Sequence, residues 1–94
     1  MNTEHYITKY YHKNGKIQHQ ETLKGGIRTW YDNGKKEYEY TFKDGGLDGL
    51  YSWWYRNGNK KYEGTFKDGK EVGLHILWKE YGQILEQRTF DDGV

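Results

Sequence analysis

Cysteine and proline are both absent from this 94-residue chain. Without cysteine there is no disulfide framework and no thiolate metal site. Without proline, punctuation of the chain falls to glycine, of which there are 13. No stretch approaches the ~18 consecutive apolar residues a spanning helix needs. Neither sign of charge dominates: 15 Lys and Arg stand against 14 Asp and Glu, for a net +1. Bulk electrostatic attraction to nucleic acid is therefore not expected. Met1-Asn2-Thr3-Glu4-His5 carries neither a basic stretch nor an apolar run. It does not read as a signal peptide, and a soluble cytoplasmic protein is the expectation. Hydrophobic residues make up only 33% of the chain, too few for a compact aliphatic core.

What the chain does have is rings. Aromatics are 18%, as ten Tyr, four Trp and three Phe. A disordered segment of such low hydrophobicity would lack them. Each ring can bury ~150–250 Å², so a thin sheet of stacked rings is within reach.

The rings also repeat. Leu23, Phe42, Phe66 and Phe90 follow one another at steps of 19, 24 and 24, each preceded by a threonine. Tyr11, Trp30, Trp54 and Trp78 keep the same steps. A fixed period in this range marks an array of small supersecondary units, here one domain over 1–94 with repeats at approximately 5–24, 25–48, 49–72 and 73–94. Between the rings, Asn14-Gly15, Asn33-Gly34 and Asn57-Gly58 alternate with Asp44-Gly45, Asp68-Gly69 and Asp92-Gly93, and Tyr81-Gly82 takes the fourth Asn-Gly place. Such dipeptides between apolar runs are strong hairpin signals, because both central residues of a type I′ turn need φ > 0.

The chain thus predicts an all-β fold, an antiparallel meander of tandem β-hairpin repeats forming an elongated twisted sheet. Eight strands are expected near 6–12, 17–23, 27–31, 36–42, 49–55, 60–66, 73–79 and 84–90. A two-residue Asn57-Gly58 turn sets Trp53 opposite Tyr62, Tyr51 opposite Gly64 and Gly49 opposite Phe66 on one face. Trp54 with Lys61, Ser52 with Glu63 and Leu50 with Thr65 share the other. The preceding hairpin pairs Thr29 with Tyr38 and Ile27 with Tyr40, and on the far face Trp30 with Glu37 and Arg28 with Glu39. Tyr51 on Gly64 and Tyr40 on Gly49 suggest rings over bare backbone. The short first repeat keeps its faces through a Lys24-Gly25-Gly26 loop that pairs Leu23 with Ile27.

Tyr62-Glu63-Gly64-Thr65-Phe66-Lys67-Asp68-Gly69-Lys70-Glu71-Val72-Gly73-Leu74 resembles a MORN repeat (membrane occupation and recognition nexus). With Trp54-Tyr55-Arg56-Asn57-Gly58 ahead of it, the unit is similar to the bacterial variant of that repeat. That variant occurs in YwqK-like proteins labelled as antitoxin components of toxin–antitoxin systems. The resemblance spans nearly the whole chain and implies an antitoxin-like scaffold that binds another protein, a toxin being one candidate partner. MORN repeats also stand beside phosphatidylinositol-phosphate kinase domains, which implies phosphoinositide-type lipid headgroups as the alternative ligand. No kinase catalytic or nucleotide-binding motif is present.

Reactive constellations are missing. His5, His12, His19 and His75 show no metal-ligand spacing and read as solvent-facing strand histidines. Ser52 is the single serine, beside Glu63 and with no histidine on its rung. No glycine-rich phosphate loop occurs, since the glycines serve turns. The expectation is no enzyme, no cofactor and no metal.

Two surfaces remain as candidates. Tyr38, Tyr51, Trp53 and Tyr62 on the ring face are the expected partner-binding anchors, Tyr and Trp being the residues that dominate binding hot spots. The Asn-Gly edge is basic, and Lys35, Lys36, Arg56, Lys60 and Lys61 are its expected contacts to an anionic lipid or an acidic partner. The strand 84–90 is a third possibility, an edge open to self-association or to a partner strand.

Overall fold

The computed structural model describes residues 6–91; His5, the Met1–His5 segment and the expected Asp92-Gly93 turn lie outside the described residues. The fold is all-β, as the repeats predict. Its strands are β1 (Tyr6–Tyr11), β2 (Ile17–Thr22), β3 (Gly26–Trp30), β4 (Lys36–Lys43), β5 (Gly46–Leu47), β6 (Gly49–Trp54), β7 (Lys60–Lys67), β8 (Lys70–Trp78) and β9 (Ile84–Phe90). They form one antiparallel meander in the order β1-β2-β3-β4-β6-β7-β8-β9, with the two-residue β5 paired to β4.

Among the described residues no second layer covers this sheet. Among the residues whose burial is described, Val72 is the one buried apolar residue, and no side chain is completely buried. Cohesion therefore comes from backbone ladders and from rings packed side by side along one face, each ring pair adding about 0.5–1.5 kcal/mol beyond its area.

The expected pairings through the centre hold: Trp53 with Tyr62, Tyr51 with Gly64, Gly49 with Phe66, Ser52 with Glu63 and Leu50 with Thr65. So do Thr29 with Tyr38, Ile27 with Tyr40 and Arg28 with Glu39. The turns that produce them differ from expectation. At Asn57-Gly58 only Gly58 has positive φ (94°). Gly58 N–H bonds Tyr55 O at 3.0 Å and Tyr55 N–H bonds Asn59 O at 2.8 Å, closing a three-residue loop over 56–58. A register shift between Trp53 and Trp54 then accommodates one extra residue in β7. A three-residue loop with glycine in the left-handed region, followed by a bulge, replaces the type I′ turn. As a result Trp54 opposes Lys60 rather than Lys61, and Trp30 opposes Lys36 rather than Glu37. The same loop and shift recur at Gly15, Gly34 and Gly82. The Asp-Gly turns are the two-residue kind, with positive φ at both Asp44 and Gly45 and at both Asp68 and Gly69.

The β2–β3 loop is displaced by one residue from expectation. It covers 23–25, with Gly25 N–H on Thr22 O and Gly26 N–H on Thr22 Oγ1. Ile27 faces Glu21, not Leu23, and Leu23 is exposed on the turn. A two-residue slip preserves alternation, so the faces are unchanged.

Nine strands appear rather than eight because the strand returning from Asp44-Gly45 slips by two residues and divides into β5 and β6. Phe42 pairs with Leu47 near the turn, but Glu39 pairs with Ser52 further along. Gly49 takes φ 94° within the slip, and Asp48 N–H bonds Thr41 O. The next hairpin repeats the slip, from Thr65 with Val72 to Glu63 with Ile76 around Gly73 at φ 67°, but leaves β8 unbroken. Tyr40 is therefore not on Gly49. It stacks on Tyr51 at 5.0 Å and 13°. The ring lying over Gly64 is that of His75, close enough that a Cβ on Gly64 would sit 2.1 Å from its Nδ1.

Candidate functional site

The four expected anchors come together in one network. Trp53 stacks on Tyr38 with ring centroids 5.0 Å apart and planes 19° from parallel. Tyr51 meets Tyr38 edge-on at 6.2 Å and Tyr62 edge-on at 5.8 Å. Tyr40 and Phe66 extend the network on either side of Tyr51. All four anchors are half-buried, and an apolar cleft of about 370 Å³ opens between Leu47, Tyr51, Trp53, Tyr62, Phe66 and Leu77. Burial pushes the phenols of Tyr38, Tyr40 and Tyr62 above the ordinary range, and that of Tyr51 up to about 12. These hydroxyls are neutral and able to donate at physiological pH.

His75 is the residue that sequence reasoning missed. It is 5% exposed, not solvent-facing. Its Nε2–H donates to Thr65 O at 2.9 Å and Val72 O at 3.2 Å, which leaves Nδ1 to accept from the Tyr62 hydroxyl. Its ring continues the network to Phe66 and Phe90. The available signal was Gly64, a gap in a column of rings that only a neighbouring ring fills.

The five cations of the basic edge are not brought onto one surface. Lys61 lies over the Trp53 ring, its ammonium 3.7 Å from the centroid, on the aromatic face. Lys36 and Lys60 lie instead against Trp54, at 5.6 and 5.3 Å, on the opposite face. Both are also ion-paired there, Lys36 with Glu39 and Lys60 with Glu63. Glu39 is raised by burial but more strongly lowered by Lys36 and Arg28, and ends below the usual carboxylate range. Arg56 pairs with Asp32. Lys35 donates to Asn57 O in the neighbouring turn.

Neighbouring Asn-Gly turns are tied together by a repeated set of bonds. Asn14, Asn33 and Asn57 each accept from the backbone N–H two residues on, and each donates Nδ2–H to the next turn, at Asp32 O, Arg56 O and Glu80 O. Tyr31 and Tyr55 donate their hydroxyls to Trp54 O and Trp78 O, and His12 Nε2 lies 2.7 Å from Trp30 O. Asparagine is thus selected for bridging and for its local turn bond rather than for positive φ.

Ser52 is buried between Glu39 and Glu63. Among the described residues no group of three or more His, Asp or Glu is placed to hold a metal ion, and no helix is long and apolar enough to cross a membrane.

A single-layer sheet of hairpin repeats, stapled turn to turn, defines a repeat scaffold. The family model described as MORN repeat variant matches residues 5–24, 26–44 and 47–68, and the chain belongs to that family. The β8–β9 hairpin beyond these residues has the same loop and bulge as the three matched copies. No curated protein and no solved structure matches the chain. MORN repeats are generally non-enzymatic scaffolds that bind protein or lipid.

Proposed function

We propose that this chain is a non-catalytic scaffold for protein–protein interaction, of the antitoxin-like type, and that it engages its partner with the aromatic face. One observation carries the reading: Tyr38, Tyr51, Trp53 and Tyr62 form a contiguous ring network with no second layer over it among the described residues. Tyr and Trp give large contact area at low entropic cost, and their neutral hydroxyls supply directional donors. The Asn-Gly edge, with Lys35 and Lys61 outside any ion pair with a carboxylate among the described residues, contributes steering rather than the main contact energy.

The test is capture of a stoichiometric partner from the source cell with the parent and with Trp53→Ser. Loss of the partner with Trp53→Ser, but not with Leu50→Ser on the opposite face, is the expected outcome. Equal capture by all three removes the aromatic face from the interaction. Co-sedimentation with phosphoinositide vesicles that fades as salt rises, without a protein partner, would favour the lipid alternative. If the captured protein is a growth-inhibiting toxin, co-expression with the parent should restore growth.

A further inference from the structure

Resting on that reading, we infer that the aromatic face takes a short partner segment of opposed polarity: apolar in the middle, acidic at one end and basic at the other. The apolar cleft between Leu47, Tyr51, Trp53, Tyr62, Phe66 and Leu77 is continuous with a second cleft of about 280 Å³, since Tyr62 and Leu77 line both. The charges on this trench are sorted along the strand direction.

At the Asn-Gly end stands Lys61. Its ammonium rests on Trp53 and has no carboxylate partner among the described residues. It sits on the aromatic face because the bulge in β7 inserts it beside Tyr62, whereas Lys60 goes to the far face against Trp54. At the Asp-Gly end stands Glu71. It pairs across from Phe66, is half exposed, and places its carboxylate 3.7 Å from His75 Nδ1. Lys70 precedes it in sequence and, with Lys67 paired opposite, alternates onto the other face. The remaining charges on the trench, Glu86 and Arg88, bond each other at 2.9 Å and cancel.

Lys61 and Phe66 are five residues apart in β7, so the backbone positions of Lys61 and of Glu71, paired with Phe66, are separated by roughly 17 Å along the strands. An extended segment of about five to seven residues spans that distance. Its acidic end meets Lys61, its apolar centre enters the cleft, and its basic end meets Glu71. The wider edges agree in sign. At the Asn-Gly edge Lys13, Lys16, Lys35 and Lys79 besides Lys61 outnumber Asp32 and Glu80, while at the Asp-Gly edge Asp44, Asp48, Asp68, Glu71 and Asp91 narrowly outnumber Lys24, Lys43, Lys67 and Lys70. A uniformly acidic or basic segment meets one unlike and one like charge.

The experiment is calorimetric titration with three synthetic peptides of about seven residues that share one apolar centre. One has glutamates at one end and lysines at the other, one has glutamates at both ends, and one has lysines at both. The parent should bind the mixed peptide best, by roughly two- to fivefold per charge, the range for partly exposed ion pairs. Lys61→Glu should shift the preference to the lysine peptide, and Glu71→Lys to the glutamate peptide. Trp53→Ala should weaken all three alike. If the parent and both charge variants bind all three peptides equally while Trp53→Ala still weakens them, the polarity inference is overturned and the scaffold reading stands. If no peptide binds and vesicles containing phosphatidylinositol phosphate sediment the protein, both are overturned.

Discussion

The Lys61 ammonium sits 3.7 Å above the centroid of the Trp53 ring, where the β7 bulge delivers it to the residue opposite its neighbour Tyr62. The equivalent positions in the adjacent repeats carry differently matched chemistry. Thr29 donates its hydroxyl to Glu37 at 3.1 Å, and in the last hairpin the bulge residue is Leu85, next to the Leu77–Glu86 pair. The residue that the bulge inserts differs from repeat to repeat: Glu37, Lys61 and Leu85.

The contact of Lys61 with Trp53 makes a double-mutant cycle informative. Lys61→Gln should cost about 0.5–1 kcal/mol by removing the cation from the ring face. The same change made in a Trp53→Leu background should cost little. Urea denaturation of the four proteins gives the coupling; a coupling of zero would mean that the ammonium and the ring are neighbours without interaction.

The glycines with positive φ divide by what surrounds them. Gly45 and Gly58 need the left-handed backbone but meet, respectively, nothing within 4 Å and only the flexible end of Lys35. Alanine there should cost about 1–2 kcal/mol from backbone strain. Gly25 needs positive φ as well, and a Cβ on it would lie 2.1 Å from Phe42 O. Gly25→Ala should therefore destabilise clearly more than Gly58→Ala. Equal denaturation midpoints for the two variants would contradict the close approach of β4 to this turn.

The asparagine bridges separate two bonds that one side chain makes. Asn33→Asp keeps the Oδ1 acceptor for Lys35 N–H and loses the Nδ2 donor to Arg56 O, while Asn33→Ala loses both. Each bond should be worth about 0.5–1.5 kcal/mol. The order of melting temperatures should be parent, Asp, Ala, measured at high salt so that attraction of the new carboxylate to Lys35 and Arg56 is screened. An Asp variant as stable as the parent would assign the asparagine to the local turn alone.

Alkaline pH should loosen the aromatic face. The phenols of Tyr38, Tyr40, Tyr51 and Tyr62 are raised by burial, Tyr51 to about 12, so the folded chain holds protons that the unfolded chain releases near its ordinary value of 10.0. Stability from this source is intact below that pH and declines as pH climbs through the folded values. A melting curve taken at each pH step should fall above pH ~10, and less steeply in Tyr51→Phe. Parallel profiles for the parent and Tyr51→Phe would place the phenol in free solvent.

Much of this arrangement is legible in the sequence because strands obey parity. Trp53 with Tyr62 and Tyr51 with Gly64 follow from any turn that keeps alternation. For the same reason the turn itself is not legible. A three-residue loop plus a one-residue bulge gives the same pairing as a two-residue turn, so Asn57-Gly58 reads identically in both. The bulge becomes visible only near the turn, where it sends Lys60 to Trp54 and Lys61 to Trp53. That split decides which cations share a face with the rings. The slip around Gly73 is hidden likewise: a shift of two residues leaves every face intact while it carries His75 onto Gly64. The four rings of the candidate site were readable from periodicity; the buried histidine joining them to β9 depends on a slip that periodicity does not register.

The asparagine and tyrosine bonds from one Asn-Gly turn to the next run in one direction, from Asn14 to Asp32, Asn33 to Arg56 and Asn57 to Glu80, accompanied by Tyr31 to Trp54 and Tyr55 to Trp78, while the Arg56–Asp32 ion pair runs back. Each unit presents the same backbone oxygens to its predecessor and the same donors to its successor. A gene segment encoding one such unit can therefore be duplicated or excised between equivalent positions, and the new neighbours meet donor to acceptor with no side chain changed. Length becomes a heritable variable independent of the fold, and a lineage can enlarge or shorten its contact surface by recombination before any point mutation refines it.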